Sequence, residues 1–105
     1  MKKEADIKQR IADIIHRQAP TAHAWLYGSR ARGDNRPDSD WDILILLDKE
    51  SVTLDDEEKV SYPLYSLGID TNTLISPALY TTKDWEWRRY TPFYESVMQD
   101  RKQLV

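Results

Sequence analysis

Tyr27-Gly28-Ser29-Arg30-Ala31-Arg32-Gly33-Asp34-Asn35-Arg36-Pro37-Asp38-Ser39-Asp40-Trp41-Asp42, followed at once by Ile43-Leu44-Ile45-Leu46-Leu47, is the stretch that decides the fold. The segment leading into it, His23-Ala24-Trp25-Leu26-Tyr27, predicts a strand that ends at a Gly-Ser corner. A turn-rich loop then delivers a second strand, Asp40 to Leu47, which opens with two carboxylates and is apolar enough to lie inside a sheet.

Side chains i and i+2 share one face of a strand, so Asp40 and Asp42 point together while Trp41 and Ile43 point away. Two neighbouring carboxylates repel unless a cation lies between them. Hard oxygen ligands presented in this way suit Mg²⁺, which keeps several waters and takes further ligands from substrate phosphates. The preceding loop supplies the matching half. Gly28 can adopt a backbone conformation closed to other residues and lets the chain pass close to a polyphosphate, and Ser29 adds a hydroxyl and an amide. If Ser29 to Arg32 form a first helical turn, their unpaired N–H groups and the positive dipole end face the same anion, with Arg30 and Arg32 supplying charge.

The combination Gly28-Ser29, ten residues, then Asp40-x-Asp42, with Arg30-Ala31-Arg32-Gly33 inside it, resembles the minimal nucleotidyltransferases of the DNA polymerase β-like superfamily. More narrowly, it is similar to the small MNT antitoxins encoded beside HEPN-domain toxins. The motif covers about a fifth of the chain. The resemblance implies a third carboxylate on the strand beside the Asp-x-Asp strand, here Asp70, which would bind the catalytic metal and help deprotonate the attacking hydroxyl. It also implies two Mg²⁺ ions held by Asp40, Asp42 and Asp70, and ATP as substrate with its phosphates on Gly28, Ser29 and Arg30 or Arg32. The implied product is an AMP-modified tyrosine on a HEPN partner, with which the chain would form a complex.

The rest of the chain bounds these expectations. With 105 residues there is room for one domain, 1–105, with a modest core. The net charge of −3 offers no basic surface for nucleic acid, which is not expected as a direct substrate. The absence of cysteine excludes disulfides and thiolate zinc sites, and no apolar run approaches membrane-spanning length, so a cytoplasmic protein without a membrane partner is the expectation.

Residues from about Lys3 to Gln18 predict an amphipathic helix with Ile7, Ile11, Ile14 and Ile15 on one face, ended by Pro20. His16 and His23 carry no functional weight, since a metal site needs several convergent ligands. Asp38-x-Asp40-x-Asp42 begins like a calcium loop but has Ile43 and Lys49 where that loop needs Gly and Glu, and no P-loop signature occurs. Arg32-Gly33-Asp34, the integrin-binding tripeptide, is coincidental here, and Asp38 reads as a turn residue.

Asp55-Asp56-Glu57-Glu58 favours a helix start, with Val60, Leu64 and Leu67 as its stripe, Pro63 as an awkward interior residue, and an end near Ser66 before Gly68. Ile69-Asp70-Thr71-Asn72-Thr73-Leu74-Ile75 alternates and predicts a strand. A short helix capped by Thr82 or Asp84 follows, then a final helix opened by Thr91-Pro92, with Phe93 or Tyr94, Val97, Met98 and Arg101 as its stripe. Its aromatics could stack on a base or meet a partner, and core packing is the favoured reading.

The expected fold is α/β (α+β): a small mixed sheet of three to four strands flanked by helices, in the nucleotidyltransferase arrangement. Other acceptors fit less well. Aminoglycoside-modifying relatives need further domains to bind the drug, and RNA-extending ones need a basic surface. A non-catalytic antitoxin module that acts by contact alone is the alternative from another class, and a small-molecule transferase completed by a second chain is the third.

Overall fold

The computed structural model describes residues 2–105, in which two helical layers enclose a four-stranded sheet. Helix α1 (Lys2–Gln18) leads into strand β1 (His23–Tyr27), the one-turn helix α2 (Ser29–Arg32) and strand β2 (Trp41–Leu47). A long helical segment follows, α3 (Leu54–Asp56), a π-helical turn (Glu57–Ser61) and α4 (Tyr62–Thr71). Strand β3 (Ile75–Thr81), helices α5 (Thr82–Trp87) and α6 (Pro92–Asp100), and the two-residue strand β4 (Lys102–Gln103) complete the order. No helix among the described residues is long and apolar enough to cross a membrane.

The sheet order is β3-β2-β1-β4. Strand β1 runs antiparallel to β2, pairing Tyr27 with Asp42, while β2 and β3 run parallel, pairing Asp42 with Ser76. The alternation of β2 sorts the core. Trp41, Ile43, Ile45 and Leu47 pack with Ile7, Ile11 and Ile15 of α1 and with Val60, Leu64 and Leu67 of the long helical segment. Leu44 and Leu46 point to the other side, into a cluster with Trp85 of α5 and Val97 of α6. Burial on both faces explains why five successive apolar residues follow Asp42. The α1 stripe is equally direct: Ile11 and Ile15 are both 0% exposed, each contributing about 1.5–3 kcal/mol of transfer free energy.

The sequence expectations fail between residues 66 and 81. The helix does not stop at Gly68 but runs to Thr71, where Asn72 adopts the left-handed conformation (φ 54°, ψ 48°) and closes it through N–H bonds to the carbonyls of Gly68 and Ile69. Gly68 serves a close approach instead, because a Cβ there would lie 2.7 Å from the Thr73 carbonyl oxygen. The π-helical turn reconciles Pro63 with the helix: the Tyr62 N–H donates to the Glu57 carbonyl, five residues back. The widened turn relieves the carbonyl that the proline ring would otherwise meet. The predicted strand 69–75 is therefore helix end and loop, and the real strand begins at Ile75. Pro77 lies within β3, tolerated because β3 is an edge strand.

The C-terminal caps follow the sequence closely. Thr91 caps α6, accepting from the Tyr94 N–H, with Pro92 in the first turn. The α5 cap is Thr81, one residue before the predicted Thr82; its buried hydroxyl accepts from the Asp84 N–H at 3.0 Å. Arg101 lies outside the helical stripe, with its guanidinium over the Trp25 ring.

Candidate active site

The site is built where β1 hands over to β2. Gly28 has φ 74° and ψ −157°, a conformation open essentially to glycine alone, and it begins α2. Its carbonyl accepts from the N–H groups of Ala31 and Arg32, both at 3.1 Å, which by the geometry of a helix start leaves the Ser29 and Arg30 amides turned outward. Helix α2 is a single turn, so these amides matter more than its dipole. Gly33 closes the turn in the left-handed conformation, donating to the Ser29 carbonyl.

Gly28 sits hard against Asp42. A Cβ built on Gly28 would overlap the Asp42 carboxylate at Oδ2, so a side chain at position 28 and the observed Asp42 rotamer exclude one another. Asp42 is half-buried and Asp40, just before β2, is exposed. Burial pushes the Asp42 carboxyl above its usual range, the nearby charge of Asp40 pushes it further, and Arg32 pulls in the opposite direction. A half-buried carboxylate with a second carboxylate close beside it is a site that a divalent cation would relieve, and its oxygen-only donors fit Mg²⁺. Cross-strand from Asp42, the Tyr27 hydroxyl is raised to about 12, by burial first and then by the charges of Asp42 and Tyr80.

The two arginines of the motif part company. The Arg30 side chain, 5% exposed, lies on the α1 side: its guanidinium stacks 4.4 Å over Trp41 and donates to the carbonyls of Ser39 (3.0 Å) and Pro37 (3.1 Å). Arg30 thus clamps the loop that delivers Asp40, and its guanidinium is engaged there. Arg32 stays on the carboxylate side. It bonds Asp100 of α6 at 2.7 Å and Asp34 at 3.1 Å, and it acts on Asp42 through its charge.

The expectation for Asp70 is corrected. It stands exposed near the end of α4, because the segment that alternates like a strand completes the helix instead. Strand β3, which pairs with β2 after the long helical segment, presents Ser76 opposite Asp42 and carries no carboxylate. Among the described residues, no group of three His, Cys, Asp or Glu side chains could hold a metal ion. Asp40 and Asp42 therefore form a pair whose bound cation would complete its shell with water and phosphate oxygens.

Sequence reasoning missed Asp100, whose 14% exposed carboxylate orients Arg32 from 68 residues away. No local pattern announces such a contact. It also gave Tyr27 no role, although its place directly before Gly28 was the available signal.

Comparison with known proteins bears on this geometry. A family model described as polymerase beta, nucleotidyltransferase, matches residues 9–77, which include β1, the Gly28 turn and β2. A protein of Methanocaldococcus jannaschii, named for an assigned protein adenylyltransferase activity, is 42% identical over 55 residues. That match covers 52% of this chain and 54% of the relative, so it spans about half of each. Among solved structures, a toxin–antitoxin complex with AMP-PNP superposes with a TM-score of 0.65 at 18% identity, covering 93% of this chain and 72% of that one. A mutant of the toxin–antitoxin pair MntA–HpeT superposes with a TM-score of 0.63 at 15% identity, covering 93% and 71%. At these identities the likeness to the solved structures is one of fold.

Proposed function

Because the chain belongs to the polymerase beta nucleotidyltransferase family, we propose that it transfers AMP from ATP to a hydroxyl of a protein, a tyrosine of a HEPN-domain toxin that it thereby silences. The observation that carries this reading is the approach of Gly28 to the Asp42 carboxylate beside Asp40, which joins a phosphate-binding turn to a cation-binding pair. The name of the archaeal relative supports a protein acceptor. The toxin–antitoxin neighbours, one with an ATP analogue, support the partner and the nucleotide.

Each residue then has a task. Asp40 and Asp42 would hold Mg²⁺, which would supply charge neutralisation at the phosphates. The amides of Ser29 and Arg30 and the Ser29 hydroxyl hold the triphosphate, which only the missing side chain of Gly28 allows to come this close to Asp42. Arg32, steadied by Asp100, adds positive charge on the same side. The acceptor oxygen forms a bond to the α-phosphorus, the bond between the α-phosphorus and the bridging oxygen breaks, and pyrophosphate and the hydroxyl proton leave.

One observation favours a second reading, an antitoxin that works by contact alone: no third carboxylate stands beside Asp40 and Asp42 among the described residues. The experiment incubates the protein with ATP, Mg²⁺ and the toxin encoded beside it, and analyses the toxin by mass spectrometry. An AMP adduct on a tyrosine, lost with Asp40→Asn/Asp42→Asn while the complex still forms, supports transfer. Full inhibition of the toxin by the double variant, without an adduct, would replace transfer by contact.

A further inference from the structure

Six aromatic side chains gather on the face of the sheet that carries Asp42: Trp25, Tyr27, Tyr80, Trp85, Phe93 and Tyr94. At their centre Trp85 is 2% exposed, packed against Tyr94 at 4.9 Å and Tyr80 at 5.5 Å. Phe93 is the member that remains 39% exposed. Two of these rings hold it edge to face: Trp85 at 5.7 Å and 90°, and Tyr27 at 5.8 Å and 81°. Its backbone is equally fixed, since it follows Pro92 in the first turn of α6, where Thr91 accepts from the Tyr94 N–H and donates to the Arg88 carbonyl.

The location gives this exposed ring a meaning. Tyr27, against which Phe93 leans, is the chain neighbour of Gly28 and the cross-strand partner of Asp42. Phe93 therefore stands one side chain away from both halves of the candidate site. The other strongly exposed aromatics lack this setting. Trp87 and Tyr90 are 86% and 83% exposed, with no ring among the described residues packed against them, and Tyr62 and Tyr65 belong to the long helical segment, which packs on the opposite face. A rigid, half-open aromatic face beside a phosphate-binding turn is what a planar heterocycle stacks on. Such stacking is tolerant of base identity and requires no hydrogen-bond reader.

We propose that Phe93 is the platform for the nucleobase of the bound nucleotide, with Tyr27 bracing it, so that one nucleotide spans from the Phe93 ring to the Gly28 turn. This rests on the nucleotidyltransferase reading and adds to it the residue that distinguishes a nucleoside triphosphate from a bare polyphosphate.

The test compares ATP with inorganic tripolyphosphate, each with Mg²⁺, by calorimetry on the wild type, Phe93→Ala, Phe93→Leu and Phe93→Trp. Loss of a stacking ring lowers ATP affinity about 5- to 100-fold. The expected result is that loss for Ala and Leu, near-normal ATP binding for Trp, and unchanged tripolyphosphate binding throughout. Leucine keeps apolar bulk, so ATP affinity restored by Leu would assign Phe93 to packing and overturn the proposal. Equal weakening of both ligands, or unchanged ATP affinity with reduced labelling of the acceptor, would overturn it as well. A wild type that binds neither ligand would refute the nucleotidyltransferase reading itself. Binding of both ligands, indifferent to Phe93, would refute only the stacking.

Discussion

Replacing Gly28 by alanine separates two costs that the structure lets one work out. The first is conformational: φ 74° with ψ −157° lies in a region essentially reserved for glycine, where another residue costs about 1–3 kcal/mol. The second is steric, since the new Cβ would occupy the position of Asp42 Oδ2 and either the carboxylate or the turn must move. Gly33→Ala provides the control. Gly33 is also left-handed, at φ 85° and ψ 8°, but nothing lies within 4 Å of its would-be Cβ, so about 1–2 kcal/mol of backbone strain is all it should cost. At about 4–8 °C per kcal/mol for a domain near this size, Gly28→Ala should melt roughly 5–20 °C below wild type. Gly33→Ala should melt higher than Gly28→Ala. Calorimetric titration should then find Mg²⁺·ATP binding lost in Gly28→Ala and retained in Gly33→Ala. A Gly28→Ala protein that melts with the wild type and binds nucleotide normally would refute the claimed contact between the turn and Asp42.

Other expectations follow from the same geometry. Asp42 has a raised proton affinity in the folded state, so its ionised form works against folding above the ordinary carboxylate range, and this burden lifts as pH falls through the raised value. Asp42→Asn should therefore melt above wild type at pH 7 without metal, and added Mg²⁺ should raise the melting temperature of the wild type alone. Tyr27, at about 12 against an ordinary 10.0, contributes stability that is complete below pH 10 and lost as pH rises towards 12. Ultraviolet titration should show a late-ionising tyrosine that Tyr27→Phe removes. Arg30→Ala, which leaves the Ser39 and Pro37 carbonyls without their donor, should cost about 2–4 kcal/mol in denaturant unfolding. Arg32→Ala should unfold close to wild type yet weaken binding of ATP.

The strand, turn and strand around Gly28 were legible in the sequence because each part constrains the next. Glycine is required by the turn, alternation puts Asp42 on the same face as Leu44 and Leu46, and the unbroken apolar run requires cover on both faces. The arginines were not separable in this way. Two residues apart on a helix differ by roughly 200° in direction, so Arg30 and Arg32 face opposite sides of the sheet although they look equivalent in the motif. Asp70 was misplaced because Ile69, Thr71, Thr73 and Ile75 imitate a strand, while the actual helix stop is Asn72, a signal weaker than Gly68. Pro77 then hid the strand that follows, since sequence alone does not reveal that β3 lies at an edge. Asp100 meets Arg32, and Phe93 meets Tyr27, only through tertiary packing of α6.

The most direct test of the central claim is calorimetric titration of ATP, with and without Mg²⁺, into the wild type and into Asp40→Asn/Asp42→Asn. The expected result is Mg²⁺-dependent binding by the wild type and its loss in the double variant, with both proteins folded. Equal binding by the two, or binding by the wild type that ignores Mg²⁺, would contradict the assignment of Asp40 and Asp42 as the cation-holding pair of a nucleotidyltransferase site.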